Sequence, residues 1–170
     1  MRATSPESSR RALRRFASGV TVLTVNCDGL RHGTTVSAVV AISREPLMLG
    51  ACLRTSSALT TLVRKAGAFS VNVLSSEQEV VAKKFAALGR EPGDAQFAGI
   101  DWSVDLVTGA PLIAGCVAHI ACGFTGCQSI GDHDLITAEV LSGSLGTGDP
   151  LLAFAGQLHR EGLSALETTD

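Results

Sequence analysis

Thiol and imidazole side chains crowd one short stretch, where Cys116, His119, Cys122 and Cys127 stand at the spacing C-x2-H-x2-C-x4-C. Those are the residue types of a small zinc knuckle. The surrounding pattern argues against a metal. Residues 114–124 read as a strand, in which alternate side chains face opposite sides, so Cys116 and Cys122 share one face while His119 points to the other. Zinc needs its ligands converging at roughly 2.0 to 2.3 Å. Buried thiols in a sheet are therefore the expectation, and no metal. A nucleophilic cysteine could draw a base from His32, His119, His133 or His159, but no cysteine is followed at once by the helix N-terminus that would depress its pKa. The G-x-S-x-G elbow of serine hydrolases is absent.

Two further places have the makings of a site. Arg54-Thr55-Ser56-Ser57 falls where a strand meets a helix N-terminus, and unpaired amides, hydroxyls and a guanidinium there suit either a phosphate or an ordinary helix cap. Gly131-Asp132-His133 precedes a strand, and its histidine reads equally as a turn residue or as a donor facing a ligand. Spacing does not choose between these readings.

The elements that must position these residues are mostly short strands. Ser5-Pro6 opens a helix with Leu13, Phe16 and Ala17 as its apolar stripe, Gly19 as its stop, and Arg10, Arg11, Arg14 and Arg15 as its solvated face. Residues 20–27, VTVLTVNC, are β-branched and run into Asp28-Gly29, the strongest short signal for a hairpin turn. A return strand over 33–43 and, beyond Pro46, a third over 47–53 follow. Ser56 or Ser57 caps a short helix ending near Gly67, and residues 68–74 form a fourth strand. The box Ser76-x-x-Glu79 opens another helix that runs to Gly89, and 89–99 reads as a polar loop. Further strands fall at 113–124, 133–141 and 151–154, with a short polar tail after Arg160. Short strands at hairpin spacing, with a few interrupting helices, predict a closed or partly closed antiparallel barrel, because closure removes exposed edges.

Composition narrows the classes of function. The 170 residues carry a net charge of −2 and 45% hydrophobic residues, which offers no global field for nucleic acid or an anionic membrane and suits one core. No apolar run reaches the ~20 residues that span a bilayer, and the Arg-rich start has no following apolar region, so a cytoplasmic protein is expected. Five cysteines, an odd number, are expected as thiols. There is no G-x-G-x-x-G fingerprint after a first strand and no Walker lysine loop.

Taken together, these segments resemble the short-chain flavin reductase family. The resemblance runs from Phe16-Ala17-Ser18-Gly19-Val20-Thr21 through Gly33-Thr34-Thr35-Val36-Ser37-Ala38, Ser43-Arg44-Glu45-Pro46 and Cys52-Leu53-Arg54-Thr55-Ser56-Ser57. It continues through Phe69-Ser70-Val71-Asn72, Lys84-Phe85-Ala86 and Gly131-Asp132-His133 to Pro150-Leu151-Leu152 and Gly156. Order and spacing carry it, over about residues 12–160 of a single domain spanning 1–170. The implied fold is mainly β with a few helices, the antiparallel Greek-key, FMN-binding split barrel. The implied activity is NAD(P)H-dependent reduction of FAD or FMN, with the reduced flavin supplied to a partner flavin-dependent monooxygenase. The alternative is a protein of the same barrel that stores or senses flavin.

By the resemblance, Thr34, Thr35, Val36 and Ser37 line the flavin ring and ribityl chain. Cys52, Arg54, Thr55, Ser56 and Ser57 take the phosphate, Lys84 and Phe85 flank the outer flavin, and His133 serves the nicotinamide of NADH or NADPH as the catalytic-side residue. Arg160 contacts the dinucleotide. A homodimer, with no metal, nucleic-acid or membrane partner, completes the expectation. Here the family's frequent double proline is Pro46-Leu47, and the last strand, which in the family usually ends in aromatic and basic residues around its glycine, reads Phe154-Ala155-Gly156-Gln157-Leu158-His159-Arg160. Direct hydride transfer between nicotinamide and flavin needs aligned rings rather than an acid–base dyad, which suits a lining of small residues.

Overall fold

The structure, a computed structural model, describes residues 6–160; Ser5, expected to cap the first helix, and the tail after Arg160 lie outside them. The chain begins with α1 (Pro6–Leu13), β1 (Ser18–Gly19), β2 (Thr21–Cys27), β3 (Leu30–Val36), β4 (Val39–Arg44) and β5 (Leu47–Arg54). Then come α2 (Ala58–Ala66), β6 (Ala68–Val73), α3 (Glu79–Ala86), a 3₁₀ turn (Gly93–Phe97), β7 (Trp102–Val104) and β8 (Pro111–Ile113). The series ends with β9 (Ala118–Ile130), β10 (His133–Leu145), β11 (Leu152–Phe154) and β12 (Gln157–His159).

Seven strands form one antiparallel sheet in the order β3-β2-β6-β9-β10-β5-β4. Its two outermost strands, β3 and β4, are consecutive in the chain with only Ser37 and Ala38 between them. Laid flat, six inter-strand spacings would part them by roughly 29 Å, whereas Val36 to Val39 reaches about 10 Å at most. The sheet must therefore roll up. Ala38 O accepts the Cys52 amide at 2.9 Å, which continues the β4–β5 ladder, while β3 swings away and leaves an opening toward the end of β5. This is the split barrel that the sequence predicts.

The Asp28-Gly29 turn follows its signal, with φ of 53° and 87° at the two central residues, the left-handed pair that a two-residue hairpin needs. The return strand does not run unbroken over 33–43. It breaks at Ser37-Ala38, where no Gly or Pro announces a turn, because barrel closure turns the chain there.

Rolling the sheet creates two cores. Inside lie Leu23, Val25, Leu49, Ala51, Leu53, Phe69, Val71, Cys122 and Ile136, plugged by Leu59 and Val63 of α2. Outside β2 and β6, a second cluster of Val20, Val22, Leu74, Phe85, Phe97, Ile113, Cys116 and Leu151 holds α3 and the β7–β8 flap to the sheet. Buried Asn72 ties that flap down. Its Nδ2 donates to Val22 O and Thr24 Oγ1, each at 3.0 Å, and its Oδ1 accepts the Ile113 amide at 2.7 Å. Asp105 anchors the 105–110 turn, accepting from Ser70 Oγ at 2.6 Å, Val107 N at 2.9 Å and Thr108 Oγ1 at 3.0 Å.

Three local expectations are corrected. The first helix ends at Leu13, and Leu13 and Phe16 are exposed rather than forming a buried stripe up to Gly19. Ser76 does not cap α3: its amide is already held by Asp149 O at 2.8 Å, so Gln78 takes the N-cap place while Glu79 pairs with Lys83 and Arg160. Cys116 lies in the turn before β9, so 113–124 is not one strand. Among the described residues no helix is long and apolar enough to cross a membrane.

Candidate functional site

A cavity of about 740 Å³ occupies the split, within the range that ordinary small-molecule sites fill. Its walls come from His32 and Thr34–Ala38 on one side, Cys52–Arg54 and Ser56–Ala58 on the other, residues 85–90 above, and Gln96 and His133 at the margins. Of the residues singled out in the sequence, Thr34, Thr35, Val36, Ser37, Cys52, Arg54, Ser56, Ser57, Phe85 and His133 converge here. Thr55, Lys84 and Arg160 are not in this lining. Thr55 binds the 131–132 turn through Asp132 O, Lys84 Nζ donates to Ala98 O, and Arg160 pairs with Glu79 at 2.6 Å.

The α2 end of the cavity gathers hydrogen-bond donors and a guanidinium. Ser57 occupies the N-cap with φ −71° and ψ 122° yet makes no capping bond with its side chain, so the first-turn amides keep donor capacity toward the cavity. Arg54 ends β5 beside them. In the β5–β10 register Arg54 stands directly opposite His133. Far apart in the chain, the two residues are set side by side by the antiparallel ladder. His133 Nδ1 donates to Asp132 Oδ1 at 2.8 Å, which leaves Nε2 free to meet a ligand.

The opposite wall holds a hydrogen-bonded group that the sequence pattern did not assign to this site: His32, Gln96 and Arg90. Gln96 Oε1 accepts the Gly33 amide at 3.0 Å and Gln96 Nε2 reaches His32 Nδ1 at 2.9 Å. Arg90 Nη2 donates to Gly33 O at 3.1 Å and to Thr34 Oγ1 at 3.0 Å. Burial, then the nearby Arg90 charge, holds the His32 imidazole below its ordinary pKa. His32 was legible in principle, since in a strand it shares a face with Thr34 two residues on. Gln96 and Arg90 come from the loop read as merely polar; the signal there is Phe97, an aromatic whose burial pins the loop.

Phe85 enters from α3 and packs against Gly33, while Thr35 Oγ1 donates to Ala82 O at 2.7 Å. The Thr35 hydroxyl is thus committed to α3. Burial pushes the thiol pKa of both Cys116 and Cys122 up to about 12, which keeps them protonated and poor nucleophiles. His119 Nε2 lies 2.8 Å from Ile113 O.

Residues 13–162 match the family model described as flavin reductase like domain. An NADPH-flavin oxidoreductase of Streptomyces viridifaciens is 40% identical over 147 residues, covering 86% of this chain and 76% of that protein. The reductase component of 4-hydroxyphenylacetate 3-monooxygenase from Pseudomonas aeruginosa is 32% identical over 155 residues, covering 91% of each. Among solved structures, the NADH:FAD oxidoreductase SgcE6 of Streptomyces globisporus C-1027, in complex with NAD and FAD fragments, superposes with a TM-score of 0.86 at 28% identity, over 97% of this chain and 99% of that one.

Proposed function

The chain belongs to the flavin reductase like domain family, and from that membership we infer that it is an NAD(P)H-dependent flavin reductase that supplies reduced FAD or FMN to a partner monooxygenase. One observation carries this reading: residues drawn from segments 32–38, 52–58 and 85–90, distant in sequence and all within the family match, line one cavity of small-molecule size. A bound flavin supplies the redox centre, taking hydride from NADH or NADPH. The chain's task is to hold and align. In this reading Thr34–Ser37 line the ring and ribityl chain, with Thr35 contributing backbone and methyl because its hydroxyl serves Ala82. Arg54, Ser56, Ser57 and the first amides of α2 receive the phosphate, and His133 faces the nicotinamide through Nε2. Thr55, Lys84 and Arg160 brace the loops around the cavity through the bonds described above.

Oxidation of NADH and of NADPH, followed by absorbance with FAD, FMN or riboflavin added, tests the activity. Flavin-dependent turnover with at least one nicotinamide is expected. No turnover with either overturns it, and tight flavin binding without a response to NADH or NADPH favours a storing or sensing protein instead.

A homodimer in the cytoplasm completes the proposal. The edge strand β4 exposes Val40 and Ile42, and Leu47, Leu141 and Leu145 add to the exposed apolar surface of neighbouring strands, the kind of surface that a second copy covers. All five cysteines are free, which suits a reducing compartment. Light scattering is expected to give a mass near twice 17.5 kDa; a monodisperse monomer contradicts the dimer.

A further inference from the structure

We propose that Thr34 is a hydrogen-bond donor to an acceptor atom of the isoalloxazine, and that Gln96, His32 and Arg90 are positioning residues that fix the direction in which its proton points. The inference rests on the flavin reading above. It follows from the polarity of one chain of contacts, which begins at a group with no choice.

The Gly33 amide can only donate, so the Gln96 atom 3.0 Å from it is the carbonyl oxygen, Oε1. The other Gln96 terminal atom is then Nε2, also a donor only, and it lies 2.9 Å from His32 Nδ1. Nδ1 must therefore carry the lone pair. Neutral imidazole keeps its proton on Nε2, which lies 3.4 Å from Thr34 Oγ1. Arg90 Nη2 donates to the same oxygen at 3.0 Å. A hydroxyl has two lone pairs and one proton, so with both lone pairs engaged it can only donate further. Among the described residues no acceptor takes that proton, and Thr34 lines the cavity.

The environment defends this arrangement. Burial and the Arg90 charge both disfavour an imidazolium at His32, which would set a ring N–H against the Gln96 amide donor. The neighbouring cation, Arg31, is engaged elsewhere, on Asp94 at 2.8 Å. The wall of β3 thus selects a ligand that presents an acceptor at this point, and oxidised isoalloxazine offers carbonyl oxygens and unprotonated ring nitrogens.

Nitrogen-15 NMR of the histidine rings reads the chain in the wild-type protein. His32 is expected as a single neutral tautomer, protonated on Nε2, at pH 8; an Nδ1-protonated or charged ring there overturns the relay. Calorimetric titration of FMN and FAD reads the donor. Thr34→Val is expected to weaken flavin binding about tenfold, with Thr34→Ser within twofold of wild type; unchanged binding by Thr34→Val overturns the assignment. Gln96→Met is expected to mix the His32 tautomers and weaken flavin binding severalfold, with no further loss when added to Thr34→Val. Equal losses in both backgrounds, with the tautomer unmoved, mark Gln96 as structural and overturn its positioning role. Failure of the wild type to bind flavin overturns the ligand reading itself, and the tautomer spectrum still reports on the chain of contacts.

Discussion

Gly33 and Phe85 pack so tightly that a methyl group placed on Gly33 would sit 2.6 Å from Phe85 Cε1. Phe85 is fully buried and tilted against Phe97 at 5.2 Å between ring centroids, so the ring can yield only toward the cavity that it lines. Gly33→Ala is expected to destabilise the fold by about 1 to 3 kcal/mol through overpacking and to push α3 off the cavity wall. Chemical denaturation and flavin titration of the same variant check both effects. Wild-type stability would show that the ring yields.

Asp105 gives the fold a dependence on acid. Its burial works to raise the carboxyl pKa, but hydrogen bonds from Ser70, the Val107 amide and Thr108 outweigh that and leave it below the usual carboxylate range. A folded-state value below the unfolded one adds stability above the unfolded pKa of about 3.9 and loses it as pH falls through the folded value. Asp105→Asn is expected to cost about 1 to 3 kcal/mol at pH 7, with the gap to wild type narrowing below about pH 4. Urea midpoints from pH 7 to 3 measure it; a gap independent of pH refutes the linkage.

Arg54 is expected to discriminate by phosphate. Arg54→Ala should weaken FMN binding about tenfold, consistent with a charge-assisted contact of about 1.5 kcal/mol, and leave riboflavin, which lacks the phosphate, within twofold. Equal losses for both ligands would move the phosphate elsewhere.

His133→Ala is expected to raise the apparent KM for NADH or slow hydride transfer while keeping the flavin Kd within a few-fold, since one hydrogen bond contributes about 0.5 to 1.5 kcal/mol. Its place opposite Arg54 sharpens the test. If flavin binding is lost and nicotinamide kinetics are intact, His133 serves the flavin instead.

Local chemistry made much of the barrel legible. The Asp28-Gly29 turn, the β-branched run of β2, and Gly67, which closes α2 in the left-handed region at φ 74°, all act through their own residues. What stayed hidden depends on distant partners. The bend at Ser37-Ala38 lies between β-branched runs with no Gly or Pro to mark it, and closure of the sheet turns it. Ser76-x-x-Glu79 has the pattern of a capping box, but Asp149, more than seventy residues away, holds the amide that the box would serve. That Arg54, Ser56 and Ser57 share one end of the cavity was readable because a strand end and a helix start are adjacent in the chain. The His32–Gln96–Arg90 wall was not, since its contacts join residues 56 to 64 positions apart.

The two-residue crossing at Ser37-Ala38 makes the cavity part of the barrel's seam. Between β3 and the end of β5 no ladder of backbone bonds runs, so a ligand touching both sides serves as a clasp, and parting the two edges then means breaking its contacts. By mass action the clasp adds RT ln(1 + [L]/Kd) to the closed form. Breathing of the edge strands and release of the ligand draw on the same free energy, and β3 amides should exchange with solvent more slowly in proportion as the cavity fills.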